Sequence, residues 1–283
     1  MKVVILGAGG QLGTDLQLVM GDWDTTPLRR QDTDICDYRA VREALNGIEP
    51  DVVVNAAGYV RVDDAESHVE EAFGINAFAV RNLAQVCSER DCVLMHVSTD
   101  YVFDGAKGSP YTEDDCPNPL GAYGASKLAG ESFVRSLCPR HFIVRSSGLY
   151  GLAGSSGKGG NFVETMLRLA REGRPIRVVD DQVLTPTYTK DLAAKMKELL
   201  KSAPFGLYHA TNAGQCSWYE FAARVFEEGS VRPTLQAISS LELGAQARRP
   251  EYSVLISRSM PGLGLVGMQP WGDALSEYFR SKE

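Results

Sequence analysis

A chain of 283 residues with 44% hydrophobic and 23% charged side chains can bury a sizeable core without disulfide staples, and with no low-complexity run it is neither disordered nor fibrous. A formal charge of −7 and a pI near 5.3 argue against a broad nucleic-acid or anionic-membrane surface, while a few local arginines would still suffice for a small diphosphate. Six scattered cysteines, with no CxxC pair and no histidine at zinc-like spacing, point to free thiols in a reducing cytoplasm and to no metal; no apolar run nears the roughly 18–20 residues of a membrane span.

The first residues carry no charged-then-apolar leader, and Lys2–Gly7 reads as a buried strand. It feeds Gly7-Ala8-Gly9-Gly10-Gln11-Leu12-Gly13, which opens a helix, Thr14–Met20. Gly7 permits a tight turn, Gly10 lets a pyrophosphate approach the backbone, and Gly13 lets helix and strand pack closely. With Gln11 and Leu12 at the helix N-terminus, the segment forms a phosphate cradle. A second strand ends near Leu28, and Arg29 and Arg30 stand at its tip, where folds that prefer NAD usually carry an acid. A guanidinium there pairs with a ribose phosphate and leans the reading toward NADP; two solvated surface arginines are the alternative. Asp34 and Ile35 are placed beside the adenine. A third strand, Asp51–Ala57, ends in Ala56, Ala57 and Gly58, small enough for a cofactor to lie across, and Tyr59 is assigned to the same site.

A helix is predicted over Glu70–Arg90, in which Asn76 is either an ordering residue for the site or an ordinary polar helix residue. The strand Cys92–Ser98 delivers Ser98, Thr99 and Asp100 to the carboxyl end of the sheet, where ligands bind in open α/β folds. A hydroxyl there can donate to a reacting carbonyl oxygen, with Thr99 the first choice and Ser98 the second. Tyr123-Gly124-Ala125-Ser126-Lys127 opens the helix Tyr123–Leu137 and sets Tyr and Lys one turn apart on one face. The ammonium, together with the positive charge of the oxidised nicotinamide, is expected to draw the phenol below its ordinary pKa of about 10, so that Tyr123 protonates a carbonyl oxygen as hydride reaches the carbon. Lys127 would also hold the nicotinamide ribose.

After the strand His141–Ser146 the alternation of strand and helix breaks at a Gly/Ser-rich segment, Gly151–Gly160, read as a loop. A helix from Asn161, a strand near Ile176–Val179, helices near Lys190–Leu200 and Trp218–Glu228 and a Pro/Gly-rich tail follow. The aromatic cluster Trp218, Tyr219 and Phe221 reads as core. The fold class is α/β: a Rossmann-type doubly wound parallel sheet over residues 1–150, with a smaller C-terminal α/β substrate lobe over residues 151–283, partly interleaved with it.

With these motifs in order, the chain resembles the extended short-chain dehydrogenase/reductase superfamily and, within it, the dTDP-4-dehydrorhamnose reductases. The segments that carry the resemblance include GAGGQLG, VSTDYVFDG, PYTEDDCPNPLGAYGASKLAGE, VVDDQVLTPTYTKDLA and GLYHATNAGQCSWYEFA, which together run along nearly the whole chain. The resemblance implies reduction of dTDP-4-dehydro-L-rhamnose to dTDP-L-rhamnose for cell-surface polysaccharide. NADPH is the expected cofactor, with NADH also accepted; the partner is the dTDP-sugar, with neither nucleic acid nor membrane, and a homodimer is left open. By position Thr99, Tyr123 and Lys127 carry over as the catalytic trio, and Asp100 joins Thr99 and Tyr123 beside the sugar. Asn161, Gln182, Thr187 and Arg249 match segments near the nucleotide diphosphate. One departure stands out: Gly148 occupies a place where family members commonly carry Trp, so the exact sugar stays open, and Tyr59 or another bulky group is expected to fill the space. A 4,6-dehydratase would need a second carboxylate where Tyr101 stands. The reading from a different class is a cofactor-binding regulatory subunit like that of methionine adenosyltransferase, which turnover of a keto-sugar would distinguish.

Overall fold

The computed structural model describes residues 1–153 and 160–282; the centre of the segment read as a loop, 154–159, lies outside the described residues. The first strand, β1 (Lys2–Leu6), shows how the large sheet is built. Val3 and Ile5 point into one apolar layer and Val4 and Leu6 into the other, so both faces are covered. The chain continues through α1 (Gln11–Val19), β2 (Asp24–Leu28), α2 (Tyr38–Ile48) and β3 (Val52–Asn55). Asp37 caps α2 by accepting from the backbone N–H groups of Arg39 and Ala40.

The helix expected over Glu70–Arg90 is divided: α3 (Val69–Phe73), a π-helical turn (Gly74–Phe78) and α4 (Ala79–Glu89). The turn carries Asn76, whose amide binds the Tyr59 backbone on both sides and reaches Ser126 across to the next helix. Next come β4 (Val93–Thr99), α5 (Ala122–Leu137), β5 (His141–Ser146) and β6 (Leu149–Tyr150). Then follow α6 (Phe162–Arg171), β7 (Ile176–Val179), β8 (Val183–Leu184), β9 (Thr187–Tyr188), α7 (Thr189–Ser202) and β10 (Gly206–His209). The chain closes with β11 (Cys216–Ser217), α8 (Trp218–Glu228), β12 (Leu235–Ile238), α9 (Ser240–Leu243), α10 (Ser259–Gly262) and α11 (Trp271–Arg280).

Six parallel strands form the main sheet in the order β2, β1, β3, β4, β5, β10. Leu12 and Leu16 of α1 and Leu192, Met196 and Leu199 of α7 cover one face; Val41 and Leu45 of α2, Leu83 and Ala84 of α4 and Val134 of α5 cover the other. This is the doubly wound sheet that alternation predicts. Its winding direction reverses between β1 and β3, which opens a crevice beyond their carboxyl ends. β10 comes from the second half of the chain, and its register with β5 (Leu207 beside Ile143) completes the sheet.

A second core gathers α6, α8 and α11 around Tyr150, Tyr188, Phe221 and Tyr278. A capping box holds the start of α8, with the Ser217 and Glu220 side chains each accepting from the other's backbone N–H. The tail read as Pro/Gly-rich therefore contributes a packed helix, α11, through Ala274, Leu275 and Tyr278. Among the described residues, no helix is long and apolar enough to cross a membrane.

Candidate active site

The glycine-rich turn sits at the point where the winding reverses. Gly7 adopts φ +78°, and a Cβ on Gly13 would stand 2.2 Å from the Gly7 carbonyl oxygen, so the tight turn and the close strand–helix contact both need the missing side chain. Gly10 precedes the first turn of α1, whose early N–H groups open toward the crevice. Gln11 donates from its amide to the Leu149 carbonyl at 3.1 Å, while its buried Oε1 finds no partner among the described residues. At the tip of β2, Arg30 pairs with Asp34 at 3.6 Å, whereas Arg29 is exposed and makes no salt bridge among the described residues. A turn closed to a Cβ at Gly7 and Gly13, an amide oxygen without a partner among the described residues and a guanidinium outside any salt bridge there together fit a dinucleotide with a phosphate to spare.

A cleft of about 1260 Å³ runs from this cradle into the second lobe. Its lining includes Gly7, Gly10, Gln11, Leu12, Gly13, Arg29, Asp34, Ile35, Ala56 and Ala57 at one end and Asn161, Gln182 and Arg249 at the other. Thr99, Asp100, Tyr123 and Lys127 lie between them. Side chains from both ends of the chain, from Gln11 to Arg249, thus share one cleft.

Thr99 ends β4, and its hydroxyl is within hydrogen-bonding reach of the Tyr123 phenol. Ser98 points elsewhere: its hydroxyl donates to Glu131 at 2.5 Å, and Glu131 forms a fully buried bidentate pair with Arg145. Lys127, one turn along α5 from Tyr123, is buried and donates to the Val97 carbonyl at 2.6 Å. The protein's own groups do not by themselves lower the phenol pKa. Burial, with the Asp100 charge adding to it, pushes Tyr123 up to about 12 against the Thr99 hydrogen bond. Burial also brings the Lys127 ammonium down to about 8, and the Glu131 carboxylate offsets only part of this. Spacing shows that phenol and ammonium are neighbours; it does not show that desolvation outweighs their attraction. A phenol held protonated at neutral pH is the form that gives a proton away.

Two residues expected on the cleft stand off it. The Tyr59 hydroxyl is bonded to Asp64, Arg61 lies over the ring at 4.8 Å, and Asn76 holds the Tyr59 backbone, so this side chain turns away from the cofactor end and from the sugar space. Thr187 is wholly buried in β9, with its hydroxyl on the Thr185 carbonyl. Asn161 does line the cleft, but its amide is occupied: the oxygen accepts from Glu164 N–H at 3.0 Å and the nitrogen donates to the Gly151 carbonyl at 2.8 Å. Gln182 donates to the Ser240 hydroxyl at 2.7 Å, and Arg249 pairs with Asp63 at 2.7 Å.

Trp218, read as core with Tyr219 and Phe221, proves to divide from its neighbour. Phe221 is buried, while Trp218 lines the cleft with Phe162, their rings 4.6 Å apart. The signal was the apolar stripe itself: Phe221, Ala222 and Val225 complete the buried face of α8 and leave Trp218 at its edge.

Gly148 adopts φ +55°, and a Cβ there would stand 2.8 Å from Leu184 Cδ1 and 3.1 Å from Pro186 Cα. The space beside it is therefore filled from the β8–β9 segment. Gly148→Ala is expected to cost about 1–2 kcal/mol of stability from the left-handed backbone alone, with more from the Leu184 contact. Urea unfolding checks this; an unchanged midpoint would mean that the backbone relaxes freely there.

A doubly wound sheet with a glycine-rich cradle at its switch point, and a Tyr/Lys pair heading the helix beside it, define a short-chain dehydrogenase/reductase of the extended type. Within that class the RmlD substrate binding domain family matches residues 1–283, and the chain belongs to it. It is 40% identical over 283 residues to the spore coat polysaccharide biosynthesis protein SpsK of Bacillus subtilis, covering 99% of this chain and 98% of that one. It is 40% identical over 289 residues to a dTDP-4-dehydrorhamnose reductase of Streptomyces griseus, covering 98% and 92%. The structure of a dTDP-4-dehydrorhamnose reductase from Bacillus anthracis in complex with NADP superposes with a TM-score of 0.94 at 38% identity, covering 99% of this chain and 100% of the other.

Proposed function

We propose that the protein is a cytoplasmic reductase that converts the 4-keto group of dTDP-4-dehydro-L-rhamnose to the alcohol of dTDP-L-rhamnose, with NADPH as its preferred cofactor and NADH accepted. The observation that carries this reading is the convergence of Thr99, Tyr123 and Lys127 on one cleft between a dinucleotide cradle and a second lobe. The names of its close relatives and the NADP held by a structure of the same shape support it.

The reduced nicotinamide supplies the hydride that adds to the carbonyl carbon. The protein's own groups do the rest. Gly7, Gly10 and Gly13, with the N–H groups of Gln11 and Leu12, receive the pyrophosphate; Asp34, Ile35, Ala56 and Ala57 border the adenosine half, and Lys127 holds the second ribose. Thr99 donates to the carbonyl oxygen, and Tyr123 gives that oxygen its proton as the C–O double bond opens. Arg249, Gln182 and Asn161 form the diphosphate end of the substrate site, with Thr187 supporting their wall from within. Trp218 and Phe162 offer the base a face to lie against. Elimination chemistry lacks its base, because burial raises the Tyr101 phenol far above neutrality.

The reading is tested by following NADPH oxidation with a panel of nucleotide 4-keto sugars. Turnover of the dTDP-linked deoxy-ketohexoses is expected, with dTDP-4-dehydro-L-rhamnose the best. Bound cofactor without turnover of any of them would favour the regulatory-subunit reading.

Cofactor preference gives a second expectation. Arg29→Ala should weaken NADPH by about 1.5–3 kcal/mol, the range of a charge-assisted hydrogen bond, and leave NADH nearly unchanged. Arg30→Ala should do less, since Arg30 already answers Asp34. Equal losses for the two cofactors in Arg29→Ala would reduce both arginines to surface charge.

A further inference from the structure

Asp100 follows directly on Thr99, is 3% exposed and carries a carboxylate whose lone pairs are nearly all taken. One oxygen, Oδ2, accepts from the Ser147 hydroxyl at 2.8 Å and from the Ser253 hydroxyl at 2.6 Å. The other, Oδ1, accepts from the Thr99 hydroxyl at 3.1 Å. Burial raises this carboxyl to about 6, and the three hydroxyls oppose the rise. A group so engaged has little left to offer a sugar.

The three hydroxyls come from three segments that meet at the reacting end of the cleft. Thr99 ends β4, and Ser147 lies between β5 and β6. Ser253 lies in an extended C-terminal segment that joins the lobes. Its backbone N–H donates to the Val183 carbonyl of β8 at 2.8 Å, and the neighbouring Val254 carbonyl accepts from Tyr111 at 2.8 Å. Farther along, Ser257 and Arg258 bind Glu113 and Asp114.

Thr99 has a single hydroxyl hydrogen. Its oxygen accepts from the Tyr101 backbone N–H at 3.2 Å and its hydrogen goes to Asp100 at 3.1 Å, so the two together hold the side chain's rotamer, and the hydrogen turns to a carbonyl oxygen only when one is present. Whatever holds Asp100 in place therefore sets where the Thr99 oxygen stands when substrate arrives.

We propose that Asp100 is a positioning residue for the reduction, acting on the reaction through Thr99, with its own position set by Ser253 of the C-terminal segment. The proposal rests on the reading of Thr99 as the hydroxyl that meets the reacting carbonyl. It differs from a place for Asp100 among the substrate ligands, and the two roles separate in kinetics.

The test is a double-mutant cycle on the full-length protein with NADPH and dTDP-4-dehydro-L-rhamnose, comparing wild type, Asp100→Ala, Thr99→Val and the double variant. Asp100→Ala is expected to lower kcat about tenfold, a fraction of the loss typical of a whole oxyanion donor, with KM for the sugar within about threefold. In the Thr99→Val background the same change should lower kcat less than about twofold, because the group it steers is gone. Ser253→Ala, which leaves the carboxylate two hydroxyls, should show a smaller loss of kcat that likewise vanishes in the Thr99→Val background. Should Asp100→Ala fail to fold, the Ser253→Ala cycle decides by the same comparison. Equal losses in both backgrounds, or a rise in KM at unchanged kcat, would overturn the proposal. A Thr99→Val variant with full activity would instead remove the active-site reading on which it stands.

Discussion

Replacing Tyr123 by Phe is expected to lower kcat about 10²–10⁴-fold while NADPH still binds, the range a positioned acid contributes. Phe keeps the ring, and with it the edge-to-face contact with Tyr101 at 5.7 Å, so the head of α5 should hold its shape. What is lost is the phenol that stands beside Thr99 on the cleft. Because Tyr123 stands at about 12, the wild-type phenol carries its proton throughout the neutral range, and the alkoxide forming at the carbonyl oxygen is the base strong enough to take it. Steady-state rates, paired with cofactor binding followed by fluorescence, measure the split. A Phe variant near wild-type turnover would show that another group supplies the proton.

Thr99→Val is expected to cost about 10²-fold in kcat, by analogy with removal of one donor to a developing oxyanion. Valine matches threonine in shape and suits the end of a strand, so the packing around β4 should persist. The hydrogen bond to the phenol and the one to Asp100 both disappear. Ser98→Ala makes the contrast. Its hydroxyl serves Glu131 behind the sheet, and the Glu131–Arg145 pair keeps two hydrogen bonds without it. Ser98→Ala should therefore lower stability rather than kcat. The reverse pattern, with Thr99→Val silent and Ser98→Ala damaging to turnover, would exchange the two roles.

Much of the fold was legible because it is encoded locally. Continuous apolar runs marked β1, β4 and β5, and His141–Ser146 begins and ends where the pattern does. Trp218–Glu228 is bounded by a capping box that sits in the sequence as Ser217 and Glu220. The cleft lining was legible where a motif fixes a turn, as at Gly7 to Gly13, or where a residue ends a strand, as at Thr99.

What was hidden depends on partners far along the chain. The break at Gly74–Phe78 accompanies the bonds of Asn76 to Tyr59 and Ser126, which lie 17 and 50 residues away, and helical periodicity cannot register them. Tyr59 adjoins the small residues of the cofactor wall, yet Asn76 and Asp64 turn it aside. Arg249 meets Asp63 across 186 residues. The direction of the Tyr123 shift was hidden for the same reason, since burial is a property of the assembled sheet rather than of the Tyr/Lys spacing.

The central claim is that this cleft passes hydride from the nicotinamide to C4 of a dTDP-linked keto-sugar while Tyr123 supplies the proton. The most direct measurement uses NADPH deuterated at the transferring position of the nicotinamide, with dTDP-4-dehydro-L-rhamnose as substrate and the product examined by mass spectrometry and NMR. The account expects one deuterium per product, located at C4, and its formation abolished or slowed at least about a hundredfold in Tyr123→Phe. Cofactor oxidised with no deuterium at C4, or label delivered at the wild-type rate by Tyr123→Phe, would contradict it.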